Sequence, residues 1–118
     1  HLQRCLRIDH ELPFSDLTFD FLEWHERLQP FGNGNSAPLF FAREVESAAP
    51  PRIVKEKHLI LRLRQQNYQR RAIFFDGVSA PLPPEPWDVA FRIRAEEYEG
   101  NTSIGMQIEA VRHAERTT

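Results

Sequence analysis

The stretch Lys57-His58-Leu59-Ile60-Leu61-Arg62-Leu63-Arg64-Gln65 constrains the fold more than any other part of the chain. Strand side chains alternate between two faces, so Leu59, Leu61 and Leu63 share one side. His58, Ile60, Arg62 and Arg64 share the other. The leucine side demands a core. The opposite side carries two guanidinium groups roughly 7 Å apart by strand rise. That spacing resembles successive phosphates along an extended single strand of nucleic acid.

Charge is distributed to match. The chain of 118 residues has a formal net charge of −2, which taken alone disfavours a polyanionic partner. Residues 1–51 are net −4 and residues 72–118 are net −4, yet residues 52–71 are net +6. Arg52, Lys55, Lys57, Arg62, Arg64, Arg70 and Arg71 stand there against Glu56 alone. A basic block between acidic flanks is an electrostatic footprint that the total conceals. Long cationic side chains also blunt sheet edges, so a solvated strand pair is the competing reading.

The length suits one domain with a modest core. No apolar run reaches membrane-spanning length, and no secretory signal pattern is present. Cys5 is the only cysteine, which rules out an internal disulfide and makes a reducing cytoplasmic setting the simplest home. The chain opens on His1 rather than methionine, as a piece of a longer protein or a processed or tagged form would.

Along the chain, residues 2–12 alternate weakly and predict a short strand, stopped by Pro13. Residues 15–29 predict a helix capped by Ser15 or Asp16, with Leu17, Phe21, Trp24 and Leu28 as its buried stripe and Phe14 as a staple. Pro30–Pro38, with two glycines and two asparagines, predicts a compound turn. This turn lacks the Gly-Lys-Ser/Thr ending of a phosphate-binding loop. Everything after it reads as β. Strands are predicted over 39–46, 52–56, 57–65, 70–75, 87–98 and 102–112, with a polar hairpin connection at 66–69 and a proline-rich loop at 79–86. On the strand over 87–98, Val89, Phe91 and Ile93 point inward and Ala90, Arg92 and Arg94 outward. Ile104, Met106 and Ile108 point inward on the last strand, and the tail from His113 frays. Five β segments, the first long and broken, suit a mainly β fold: a five-stranded Greek-key barrel of the OB type preceded by one α-helix. Closure removes sheet edges, and the second and third strands form the usual nucleic-acid face of such barrels.

The run Leu28-Gln-Pro-Phe-Gly-Asn-Gly-Asn-Ser-Ala-Pro-Leu-Phe40 resembles the Pro-Phe-Gly-x-Gly-Asn-Pro-x-Pro-x-Phe signature of RecJ-type single-stranded-DNA-specific exonucleases. Lys57-His58-Leu59-x-Leu61-Arg62-Leu63, Ala72-Ile73-x-Phe75, Asp88-Val89-Ala90-Phe91-Arg92 and Tyr98-x-Gly100 fit the same family in the same order. Ser36 stands where the family has proline. The resemblance implies the C-terminal OB-like domain of such an enzyme. Residues 1–14 would be the end of a preceding domain, 15–38 a helix and turn leading in, 39–112 the barrel and 113–118 the tail. It also implies that the catalytic Asp-His-His domain, with its divalent Mn or Mg, lies elsewhere in the parent protein.

The residues themselves offer no catalytic centre. A two-metal nuclease needs carboxylates and histidines converging on ions about 4 Å apart. His1, His10, His25, His58 and His113 are scattered, and Asp9, His10 and Glu11 alternate between strand faces. The run Glu96, Glu97, Glu99 reads as a solvated strand end. Binding is the expected activity, through Lys55, Lys57, Arg62, Arg64, Arg70, Arg71 and Arg92, with Phe74 as the aromatic. If Ile73 and Phe75 face the core, Phe74 faces out beside Arg62 as a stacking platform. Otherwise it is covered by the helix or the proline-rich loop. Tyr68 is a weaker aromatic candidate, and Trp87 is expected to plug a barrel end. Arg92 and Arg94 either line the same surface or pair with Glu96 and Glu109. The expected partner is single-stranded DNA, together with the rest of the parent exonuclease. The same groove could instead capture the acidic tail of a single-strand-binding protein, or the barrel could simply brace the catalytic domains.

Overall fold

Leu59, Leu61 and Leu63 do face a core, and the barrel is assembled around them. The structure, a computed structural model, describes residues 10–28 and 37–114. Parts of three predicted segments lie outside the described residues: 2–9 of the strand over 2–12, 30–36 of the turn over 30–38 and 115–118 of the tail from 113. The elements in order are β1 (His10–Glu11), a 3-10 turn (Phe14–Asp16), α1 (Phe19–Glu26), β2 (Phe40–Ser47), β3 (Arg52–Val54) and β4 (His58–Gln65). They continue with β5 (Tyr68–Phe74), a second 3-10 turn (Gly77–Ser79), β6 (Trp87–Tyr98) and β7 (Asn101–His113).

β4 and β5 form a hairpin in continuous register from Leu59↔Phe74 to Gln65↔Tyr68. β5 runs parallel to β7 at Ala72↔Met106, β7 pairs antiparallel with β6, and β6 pairs antiparallel with β2. β2 then returns to β4 at Glu46↔Arg64 and Ser47↔Leu63. The pairings β2-β4-β5-β7-β6-β2 close a ring of five strands, the expected OB-type barrel. β1 adds to β2 in parallel, and β3 extends the β4 side.

β2 serves two neighbours because it bends. Its ladder with β6 shifts register between Ala42 and Val45, with Glu44 in the left-handed region at φ 55°. A bulge of this kind kinks a strand and re-aims its end. Buried Asp88 holds the kink. Its carboxylate accepts from the Glu44 backbone N–H at 3.2 Å and lies 3.5 Å from Arg112.

The core joins Phe40, Leu61, Leu63, Phe91 and Met106 inside the ring to Leu12, Phe14, Leu17 and Leu22 from the segment ahead of it. Trp87 is buried, and its indole N–H donates to the Pro83 carbonyl at 2.7 Å. Ala90 lies between the core residues Val89 and Phe91 but outside the core cluster, and its neighbours Phe41 and Ala110 on the adjacent strands leave its small side chain little exposure.

The helix differs from the expectation in start and phase. Residues 14–16 form a 3-10 turn, and the Thr18 hydroxyl caps α1 by accepting from the Phe21 N–H at 3.1 Å. Beginning at Phe19 rotates the buried stripe onto Leu22 and His25, three residues apart. Leu17 is buried in the barrel end but is not helical. Trp24 is 46% exposed, packing on Phe21 at 5.3 Å between ring centroids.

Buried His25 lies 6.2 Å from the Phe40 ring. Burial holds its imidazole below the ordinary 6.5, outweighing the opposing pull of Glu26. Below about pH 6.5 the unfolded chain therefore takes up a proton that the folded chain resists, and stability falls as pH drops. Thermal melts between about pH 7.5 and 5 should show this loss, with a shallower pH slope in His25→Phe. The β4–β5 hairpin turns at Gln66, whose φ is 56°. A non-glycine residue there carries strain of about 1–2 kcal/mol, so Gln66→Gly should raise unfolding free energy by about 0.5–1 kcal/mol in denaturant titration.

Candidate nucleic-acid interface

The hairpin register decides which cations share a surface. Arg62 pairs with Arg71, and Leu63 pairs with Arg70. Since Leu63 is fully buried, Arg62 and Arg71 project outward while Arg70 starts from the inner face. The expectation that Arg62, Arg64 and Arg70 project together is therefore corrected: parity puts Arg70 on the opposite side.

Arg70 still reaches the surface at the barrel end. Its guanidinium donates to the Leu17 carbonyl at 2.8 Å and to its own strand at Gln69 at 2.9 Å. Its Nε is buried with no hydrogen-bond partner among the described residues. Arg70 thus ties the segment before α1 to β5. That tie shapes an open cleft of about 590 Å³ lined by Arg62, Arg70, Arg71, Gln69, Ser103 and Ile104, with Leu17, Thr18 and Phe19 along its other wall. Arg62 is exposed and makes no ion pair among the described residues. Phe19, 64% exposed, is the aromatic of this cleft.

Phe74 is not an outward platform. It pairs with Leu59, packs against the core and lines a recess with Pro81, Leu82 and Pro83 of the proline-rich loop. The outward aromatic is its neighbour Phe75, set 5.2 Å from His58 and 5.7 Å from the Arg94 guanidinium. The phase of β5 is the reason. Arg70, Ala72 and Phe74 lie inside, so Ile73 and Phe75 cannot.

The remaining expected cations do not converge on the cleft. Arg64 shares the outward face of β4 but is engaged by Glu46 at 2.9 Å, across the pairing that closes the ring. Lys55 and Lys57 are exposed in the β3–β4 turn, with Lys57 roughly 17 Å from Arg62 along the strand. Arg92 lies in a separate depression with His25, Ala37 and Gln107. It sits 3.5 Å from Glu109 and donates to the Ala37 carbonyl. Arg94 is near a carboxylate too, standing 3.9 Å from Glu96.

Phe19 falls within the expected helix but off its apolar stripe, two residues from Leu17, and the sequence reading passes over it. A large aromatic on the polar side of an amphipathic segment was the available signal.

Among the described residues, no three histidines, cysteines, aspartates or glutamates are grouped to hold a metal ion. The described donors therefore do not fit the divalent metal that the resemblance assigns to a catalytic domain. No described helix is long and apolar enough to cross a membrane.

The RecJ of Thermus thermophilus, solved in complex with Mn2+, superposes with a TM-score of 0.70 at 25% identity. The match covers 92% of this chain and 16% of that one. The Mg2+ complex of the same protein aligns with a TM-score of 0.62 at 23% identity, over 81% of this chain and 15% of that one, and shows the shared fold. This chain thus spans about a sixth of the RecJ chains it matches. No curated protein matches it significantly. The family model for the RecJ OB domain matches residues 8–110, and the chain belongs to that family.

Proposed function

We propose that this domain is a sequence-tolerant grip for single-stranded DNA within a RecJ-like 5′–3′ exonuclease of DNA repair and recombination. The divalent-metal chemistry of strand cleavage belongs, in this reading, to catalytic domains of the parent protein. The observation that carries it is the cleft where Arg62, Arg70 and Arg71 face exposed Phe19. Cations neutralise the backbone without reading sequence, and an aromatic face stacks on any base. An open cleft beside the strands equivalent to the second and third of an OB barrel is where such ligands bind.

In fluorescence anisotropy with a labelled oligo-dT, binding should weaken with salt by a slope of about −0.7 per phosphate contacted. Arg62→Ala with Arg71→Ala should weaken binding at least tenfold and flatten that slope by about 1.4. Phe19→Ala should cost about 1–3 kcal/mol of affinity. Duplex should bind more weakly than single strand. Unchanged affinity in the double arginine variant would refute the reading, and so would capture of an acidic peptide with no oligonucleotide binding.

Stability separates the roles of neighbouring arginines. Arg70→Ala should lower unfolding free energy by about 1.5–3 kcal/mol, because it leaves the Leu17 carbonyl without its charged donor. Arg62→Ala should stay within about 0.5 kcal/mol of the parent, as expected for an exposed side chain without an ion pair among the described residues.

A further inference from the structure

Four outward positions line up across the sheet. Arg62 on β4 faces Arg71 on β5. The pairing Ala72↔Met106 sets Arg71 abreast of Gly105 on β7, and Gly105 faces Arg94 on β6. Adjacent strands lie about 4.8 Å apart, so this row spans roughly 14 Å at right angles to the strands.

The row has no side chain of its own at Gly105, and a carboxylate lies there instead. Glu96, two residues beyond Arg94, extends over the glycine. A Cβ on Gly105 would stand 2.6 Å from the Glu96 carboxyl carbon and 2.7 and 2.9 Å from its two oxygens. Arg71 donates to both oxygens, at 2.9 and 3.1 Å, and Arg94 Nε stands 3.9 Å from one of them. Gly105 has ordinary strand backbone, so only the space above it calls for glycine.

We infer that Arg71 and Arg94 form a phosphodiester subsite above Gly105, and that Glu96 is its resident anion, displaced when a strand binds. The inference rests on the single-strand-binding reading and extends it to Arg94, Glu96 and Gly105. Arginine presents the same planar fork to carboxylate and to phosphate, so what holds one anion is shaped for the other. The pair is partly exposed, which makes it weak enough to yield. Arg62, at the end of the row and without an ion pair among the described residues, takes the first phosphate. The next must then compete with Glu96. A lone phosphate has little to offset that competition, whereas a strand already held at Arg62 presents its neighbour at high effective concentration. The subsite therefore selects a chain of phosphates over an isolated one.

The test is oligo-dT affinity of the 118-residue chain and four variants at low salt. Glu96→Gln should tighten binding by up to about fivefold, the range set by a partly exposed ion pair. Its salt slope should steepen by about 0.7, one added phosphate contact. Gly105→Ala should tighten binding too, because the new methyl group evicts the carboxylate. Glu97→Gln removes the same charge from the adjacent exposed position and should leave affinity within about twofold, an exposed charge outside the row being worth little. If Arg62→Ala weakens binding while Glu96→Gln and Gly105→Ala match the parent, the subsite is wrong and the grip stands. An equal gain in Glu97→Gln would also overturn it, as a net-charge effect. If Arg62→Ala binds as well as the parent, the grip itself fails and the subsite falls with it.

Discussion

The barrel depends on a very short ladder. The pairs Glu46↔Arg64 and Ser47↔Leu63 join β2 to β4 and close the ring, helped by the Ala48 N–H donating to the Arg62 carbonyl at 2.7 Å and the Gln65 side-chain amide donating to the Arg43 carbonyl at 2.8 Å. β2 can make that contact because it kinks between Ala42 and Val45, and buried Asp88 satisfies the Glu44 N–H that the kink frees. The ion pair of Arg64 with Glu46 spans the seam. Without this closure the leucine side of β4 would face an open trough, and the curvature that brings β4, β5 and β7 around one cleft would be lost.

Closure also sorts the charges. The basic block of residues 52–71 is one run in sequence, but the ring divides it by parity and by neighbour. Arg64 is used at the seam, Arg70 at the barrel end, and Arg71 against Glu96. Arg62 keeps an exposed charge without an ion pair among the described residues. A net +6 over twenty residues thus overstates the free positive charge on the surface. The functional surface comes as much from where the acidic flanks reach as from the block itself.

Much of this was legible in the residues, for identifiable reasons. Alternation in 57–65 and 87–98 placed β4 and β6 closely, because a one-residue slip would turn every leucine toward water. The five-stranded barrel followed from strand count and family signature. Helix phase was less legible, since Leu17 is buried without being helical and Thr18 supplies the cap rather than Ser15 or Asp16. The phase of β5 was ambiguous because Ile73, Phe74 and Phe75 are apolar in sequence. Only pairing with Leu59 settles which one is inside. Phe19 and the carboxylate over Gly105 depend on contacts between distant strands and turns, which no local pattern encodes.

Phe14 and Leu17 are fully buried in the same core as the strands, and Arg70 fastens their backbone to β5. The cooperative unit therefore begins well upstream of the first long strand. A truncation that started at Phe40 would leave a phenylalanine-sized void at the mouth of the barrel, at about 24 cal/mol for each Å³ left empty. It would also strip one wall from the cleft, so excising the domain at its apparent strand boundary would remove part of its binding surface along with its stopper.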